Sequence, residues 1–205
     1  MKIKNTYLPN PQGKASVPLL NDLANFTPYG VTKKELPHWL ADYFTSILVL
    51  SAKFSFKPII DKQYYLYLDQ DHWKLSLIEP QKWKNCPFQF FATCIMGKDK
   101  SWTLQPLENW QDNPQFKHKI SQLSRYFLNS LDISQPIVDS LPFYVASLPY
   151  YQRVAANALA NSLKQSLQLK LGKEISESMS SKVLLREVSK ADLSPARLLN
   201  HANSA

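Results

Sequence analysis

Four histidines and two cysteines are the side chains of this 205-residue chain best suited to hold a metal or to act as nucleophiles. His38, His72, His118 and His201 stand far apart, and no HxxxH, HxxEH or CxxC spacing puts two such ligands on one turn of backbone. A structural metal is not expected. Cys86 has one trait of a nucleophile, because Lys82 and Lys84 stand beside it and neighbouring cations lower a thiol pKa. Covalent catalysis also needs a base within reach and donors for an oxyanion, and the sequence marks neither. Cys94, inside the apolar run FATCIM, reads as a small core residue. The only phosphate-loop fragment, PQGK at 11–14, lacks both the earlier glycine and the following hydroxyl residue that such a cradle requires. These residues argue against an enzyme, and no cofactor is expected.

Recognition by aromatic rings is the other chemistry the chain suggests. YYLYLDQDHWKLSLIEPQKW, residues 64–83, holds Tyr64, Tyr65, Tyr67, Trp73 and Trp83. Its alternation of apolar and polar residues around the acidic turn Asp69–Asp71 is that of two strands. FQFFATCIMG and SWTLQPL, on either side of GKDK at 97–100, extend the pattern to a four-stranded antiparallel meander over 63–107. Tyr64, Leu66, Leu68, Trp73, Leu75, Leu77, Trp102 and Leu104 then share one face. Tyr65, Tyr67, Lys74, Ser76, Thr93, Thr103 and Gln105 share the other. Tyrosines with a lysine and hydroxyls on an open sheet could stack the bases of single-stranded RNA. The competing expectation is that later helices cover that face, since the third strand is apolar on both sides. Trp83 and Cys86, in the proline-bearing loop EPQKWKNCP, would flank any pocket between sheet and helices.

Residues 64–104 also resemble a family of small proteins known only as a domain of unknown function, whose vertebrate member is named after an open reading frame on chromosome 1. The likeness rests on Tyr64 to Tyr67, on Ser76, Ile78, Pro80 and Trp83, on Cys86, Pro87 and Phe90, and on Ser101, Trp102 and Thr103. The chain departs from the family at Ala92, where glycine is usual, at Leu104, where proline is common, and in a first hairpin one residue shorter. The helical half carries no likeness. The resemblance implies a shared sheet, and the family brings no established activity.

The elements around that sheet follow from periodicity. The first 31 residues, with Pro9, Pro11, Pro18 and Pro28, predict an extended arm. TKKE at 32–35 has the form of a capping box, and Leu36, Leu40, Tyr43, Ile47 and Leu50 predict a helix over about 37–53 with Pro37 in its first turn. Pro80 is expected to start a single helical turn. Asn113 and Pro114 open a helix with the stripe Phe116, Ile120, Leu123, Phe127 and Leu131. Another runs from about Pro149 to Leu171 and ends at Gly172, a third spans about 174–189, and Ser194 caps a short last one. Leu159, Leu163 and Leu167 line one helix face, which either packs inside the domain or meets a partner helix. The whole reads as one α+β domain.

Composition limits the partners. The net charge is +8, yet only Arg125, Arg153, Arg186 and Arg197 of the 24 basic residues are arginines, and no run of like charge forms a basic tail. No apolar stretch has the length of a signal peptide's core or of a membrane span. Two cysteines in a chain of this size read as free thiols in a reducing compartment. The expectation is therefore a cytoplasmic, non-enzymatic protein-interaction module, acting through the arm or the C-terminal helices. The alternatives are an RNA-associated protein using Tyr65, Tyr67 and Lys74, and a small-molecule binder or enzyme with a pocket near Trp83 and Cys86.

Overall fold

The computed structural model describes residues 27–200 apart from Tyr144 and Ala146, so most of the expected arm lies outside the described residues. Among those residues the helices are α1 (Leu36–Leu50), α2 (Pro114–Leu131), α3 (Tyr150–Leu171), α4 (Lys173–Ser178), α5 (Ser181–Glu187) and α6 (Pro195–Asn200). The strands, between α1 and α2, are β1 (Gln63–Asp69), β2 (His72–Ser76), β3 (Gln89–Met96) and β4 (Trp102–Pro106). The class is the expected one: α+β, with a four-stranded antiparallel sheet preceded and followed by helices.

Strand order corrects the meander. It is β2-β1-β3-β4, so β3 pairs with β1 and not with β2. Tyr65 opposes Ser76 on one side and Thr93 on the other, and Tyr67 lies between Lys74 and Phe90. β2 and β3 are each antiparallel to β1 and hence parallel to one another, and parallel strands cannot be joined by a tight turn. Residues 77–88 accordingly cross over β1. They contain only one turn of 3-10 helix, Pro80–Lys82, where Pro80 leads it as expected.

A bulge in β3 places a second aromatic layer. Leu66 opposes Ala92 while Tyr67 opposes Phe90, which leaves Phe91 as the extra residue. Phe91 turns into the core against Trp73, Trp110 and Phe116. Phe90 stays with Tyr67 on the far face. The apolar character of both sides of β3 thus has a local cause, and no helix is needed over the second face to explain it.

α1 is the centre of the molecule. It is apolar nearly all round, as a helix buried on every side must be, and Leu40, Phe44, Leu48 and Val49 are wholly enclosed. Toward the sheet, Ser46 Oγ accepts from the Trp102 amide and the Thr45 hydroxyl donates to the Trp102 carbonyl, both at 2.9 Å. On its other side Trp39 Nε1 donates to the Leu163 carbonyl of α3 at 2.9 Å. Tyr43 and Phe44 hold Phe127 of α2, and Leu198 and Leu199 of α6 are fully buried beside α1 and β4. The C-terminal helix is core, and Leu159, Leu163 and Leu167 are buried within the domain.

Local signals succeeded or failed for identifiable reasons. Asn113 caps α2 as expected, accepting from the amides of Gln115 (3.0 Å) and Phe116 (3.3 Å). Gly172 ends α3 at φ 83, a conformation that favours glycine. The TKKE capping box does not form: Glu35 is itself the N-cap and makes no side-chain cap bond. Its carboxylate instead receives Lys170 of α3 at 2.6 Å. The helix expected over 174–189 is broken at Met179 and Ser180, because Ile137 donates to the Met179 carbonyl and Ser180 restarts the chain as the cap of α5. α1 stops at Leu50, which frees Lys53 to pair alongside β2.

Residues 29–35 form an extended strap tied to distant elements. Tyr29 donates to the Lys98 carbonyl (3.2 Å), and Ser166 of α3 donates to the Thr32 carbonyl (2.8 Å). The Lys34 ammonium lies between two carboxylates, bonding Asp42 of α1 and, at 2.7 Å, Asp99 of the β3–β4 turn. Asp99 also accepts from the amide and hydroxyl of Ser101. Burial alone would depress the Lys34 pKa, but the two carboxylates outweigh it and hold the pKa above its ordinary value. Burial raises Asp42 on balance, whereas for Asp99 Lys34 and Ser101 overcome burial and lower it. Lys34 therefore contributes fully below its unfolded value and loses that contribution only as pH rises through its folded one. Replacing Lys34→Met leaves two adjacent carboxylates without their cation. The partial exposure of the trio brings the expected loss below the figure for fully buried pairs, to about 2 kcal/mol at neutral pH. Because the variant's folded state then binds a proton more readily than its unfolded state, the Tm gap from the parent should narrow between pH 7 and pH 4.5. Paired thermal melts check this, and a gap that widens on acidification would contradict the assignment.

Candidate functional site

The face of the sheet turned away from α1 is divided in two by the crossover. Over β1 and β2 the 77–88 segment forms a cover. Trp83 and Phe88 pack against Tyr67 with ring centroids 6.2 and 6.4 Å away, and Phe90 completes the cluster at 5.6 Å. Tyr67 is 0% exposed, and its hydroxyl donates to the Ile78 carbonyl at 2.8 Å. It belongs to the interior, which corrects its expected place on a surface. Tyr65 is nearly buried, with Glu79 beside its hydroxyl; burial first and that carboxylate second raise its pKa. Leu77, expected against α1, lies beyond the end of β2 and is 47% exposed.

The remaining candidate residues are placed by the same cover. The Lys74 ammonium stands 3.9 Å from the centroid of the Phe88 ring, a cation–π contact that draws it onto the cover. Lys82 is paired with Glu79 at 2.8 Å, and Cys86 is exposed, its thiol donating to the Phe88 carbonyl at 3.2 Å. Cys94 is fully buried, and burial pushes its thiol pKa up, as suits the core residue it was expected to be. Burial is the main cause that raises the Tyr67 pKa, and the Trp83 indole opposes it. That indole N–H nevertheless has no aligned hydrogen-bond acceptor, and it is the one buried side-chain polar group among the described residues in that state. The structure thus gathers Tyr65, Tyr67, Lys74, Trp83 and Cys86 into one region, but as two paired strands and their cover.

Over β3, β4 and the end of β1 the face is open. Gln63, Thr93, Ile95, Thr103 and Gln105 lie side by side across three strands, with Ile95 37% exposed between Gln63 and Thr103. None of these side chains is charged. Strand addition at the sheet's edges is obstructed in part: Lys53 occupies part of the β2 edge, Ser46 and Thr45 hold the Trp102 backbone on the β4 edge, and Pro106 offers no N–H. A groove of about 410 Å³ lies at the β2 edge, lined in part by Lys53, Phe54, Ser55, His72 and Trp73. Among the described residues no group of three or more His, Cys, Asp or Glu side chains is arranged to hold a metal, and no helix is long and apolar enough to cross a membrane. Sequence reasoning placed Thr93, Thr103 and Gln105 on this face, read Ile95 with Phe91 as an apolar side of β3 to be covered by helices, missed Gln63, and did not separate the covered half from the open one. The length of the 77–88 connection, well beyond the roughly 2–5 residues of a hairpin loop, was the signal for that division.

The Tyr67 hydroxyl is the main polar link between the cover and the sheet. Tyr67→Phe keeps the ring and leaves the Ile78 carbonyl without its donor, so it should cost about 1 kcal/mol. In urea the midpoint should fall with an unchanged m-value.

No protein-family model, no curated protein and no solved structure matches this chain.

Proposed function

We propose that the protein is a non-enzymatic protein-interaction module of the cytoplasm that docks a partner on the open half of its sheet. The observation that carries this reading is the uncharged row across β1, β3 and β4 on a chain of net charge +8. Depletion of charge at the centre of a patch is the compositional mark of protein interfaces. Thr93, Thr103, Gln63 and Gln105 supply donors and acceptors at its rim, and Ile95 supplies an apolar centre. The two free cysteines suit a reducing compartment.

The same geometry weighs against RNA. A stacking platform needs exposed rings beside free cations, whereas Tyr67 is enclosed, Lys74 is drawn onto Phe88 and Lys82 is paired with Glu79. The likeness of residues 64–104 to an uncharacterised family adds a proposed common sheet and no activity.

The reading is tested with the double variant Ile95→Arg, Thr103→Arg, whose added charges lie on solvent-facing positions and should leave the Tm within a few degrees. The parent should retain a defined protein through nuclease treatment in affinity capture, and the variant should lose it. Retention of the same protein by the variant would remove the open face from consideration. Nucleic acid released by nuclease, with binding that falls steeply as salt rises, would favour the RNA reading instead.

A further inference from the structure

We propose that residues 77–88 are a hinged cover that opens on the intact fold, uncovering Tyr65, Tyr67 and Phe90 and enlarging the open sheet face beside them. The strand order is the first ground. The connection from β2 to β3 has to pass over β1, so it lies on a sheet face that needs nothing above it to complete the main core, which is built on the other face around α1. It is held at both ends by strands and can lift without leaving.

The second ground is how the cover is attached. Its backbone hydrogen bonds at Lys82 and Trp83 close on its own carbonyls at Glu79 and Pro80. The Ile78 amide is held by the Ser76 hydroxyl at the end of β2, and the Tyr67 hydroxyl bonds the Ile78 carbonyl. Otherwise the cover rests on the packing of Trp83 and Phe88 over Tyr67, on the Lys74 ammonium over Phe88 and on the Glu79 carboxylate beside the Tyr65 hydroxyl. Segments joined to a fold by a few side-chain contacts open at lower free energy than the core they sit on.

The third ground is the Trp83 indole N–H, buried in the closed cover beside the Tyr67 hydroxyl but not aligned with it. A buried donor whose partner is poorly aligned gains little from the state that buries it, and opening returns this one to water. Leu77 and Ile78, exposed at 47% and 42%, show that the first part of the cover is not sealed by the rest of the molecule. Opening would join three aromatic side chains and a released Lys74 to the uncharged row at Gln63, Thr93 and Ile95. That enlargement regulates the docking surface and rests on the proposed function. The opening itself does not.

Thiol labelling under native conditions tests the opening without any partner. In a Cys86→Ser background, Tyr67→Cys places a thiol beneath the cover, and the native Cys94, fully buried in the main core on the opposite face, reports opening of the core in the same molecule. Iodoacetamide modification of the two sites, followed by peptide mass spectrometry, should proceed at position 67 at least about tenfold faster than at Cys94, with little dependence on urea. Adding Trp83→Ala should speed labelling at position 67 and leave Cys94 unchanged. Because Tyr67→Cys itself removes the hydroxyl and ring that hold the cover, Tyr65→Cys, which keeps both, must show the same excess of labelling over Cys94, and its absence there would equally overturn the proposal. Equal labelling rates at the two sites, or an equal acceleration of both by Trp83→Ala, would show that the cover is part of the core and would overturn the proposal. Neither outcome bears on whether the open half binds a partner, which the double arginine variant tests separately.

Discussion

The constraint on which the far face of the sheet depends is the position of β1 between β2 and β3. Two strands that flank a third and run parallel to each other need a crossover, and a crossover on a sheet has to choose a face. α1, with α2, α3 and α6 around it, already fills one side. The 77–88 segment takes the other and covers only the strands it passes, which is why Tyr67 is enclosed while Thr103 is bare. One topological fact thus produces a buried aromatic cluster and an uncharged open row on the same sheet face.

α1 sets what the other face can be. Its residues meet β4, α2, α3 and α6 together, so almost no position on it is free to be polar, and the few polar side chains are committed. Ser46 and Thr45 hold the Trp102 backbone at the sheet's edge, and Tyr43 donates to the Ser140 carbonyl at 2.6 Å. These bonds satisfy buried polar groups where an unpaired one would be costly. They also occupy the start of the β4 edge, as Lys53 occupies part of the β2 edge.

Much of this architecture is legible in the residues. The two-residue alternation of Tyr64 to Leu68 and of Trp73 to Leu75, the Asn113–Pro114 cap and the glycine at 172 each mark an element because the physics is local. What was not legible depended on distant partners. Glu35 looks like half of a capping box, but Lys170, 135 residues away, offers its carboxylate a charge-assisted bond. Met179 and Ser180 sit in a helical pattern that breaks because Ile137 claims a carbonyl there. Phe90 and Phe91, adjacent and both apolar, looked like a strand buried on two sides. A bulge sends Phe91 to the core, and a loop encloses Phe90's neighbour.

Charge shows most clearly why a composition does not become a function. The excess of lysine suggests attraction to polyanions, but a lysine acts at a distance only when its charge is not already engaged. Lys34 is held by two carboxylates, Lys170 by Glu35, Lys119 by Asp71 and Lys82 by Glu79, while Lys74 faces a ring. The open sheet row, where a nucleic acid would have to lie flat to stack, carries no charge. These pairs cancel charge locally, and the open surface the sheet offers for contact is a neutral one.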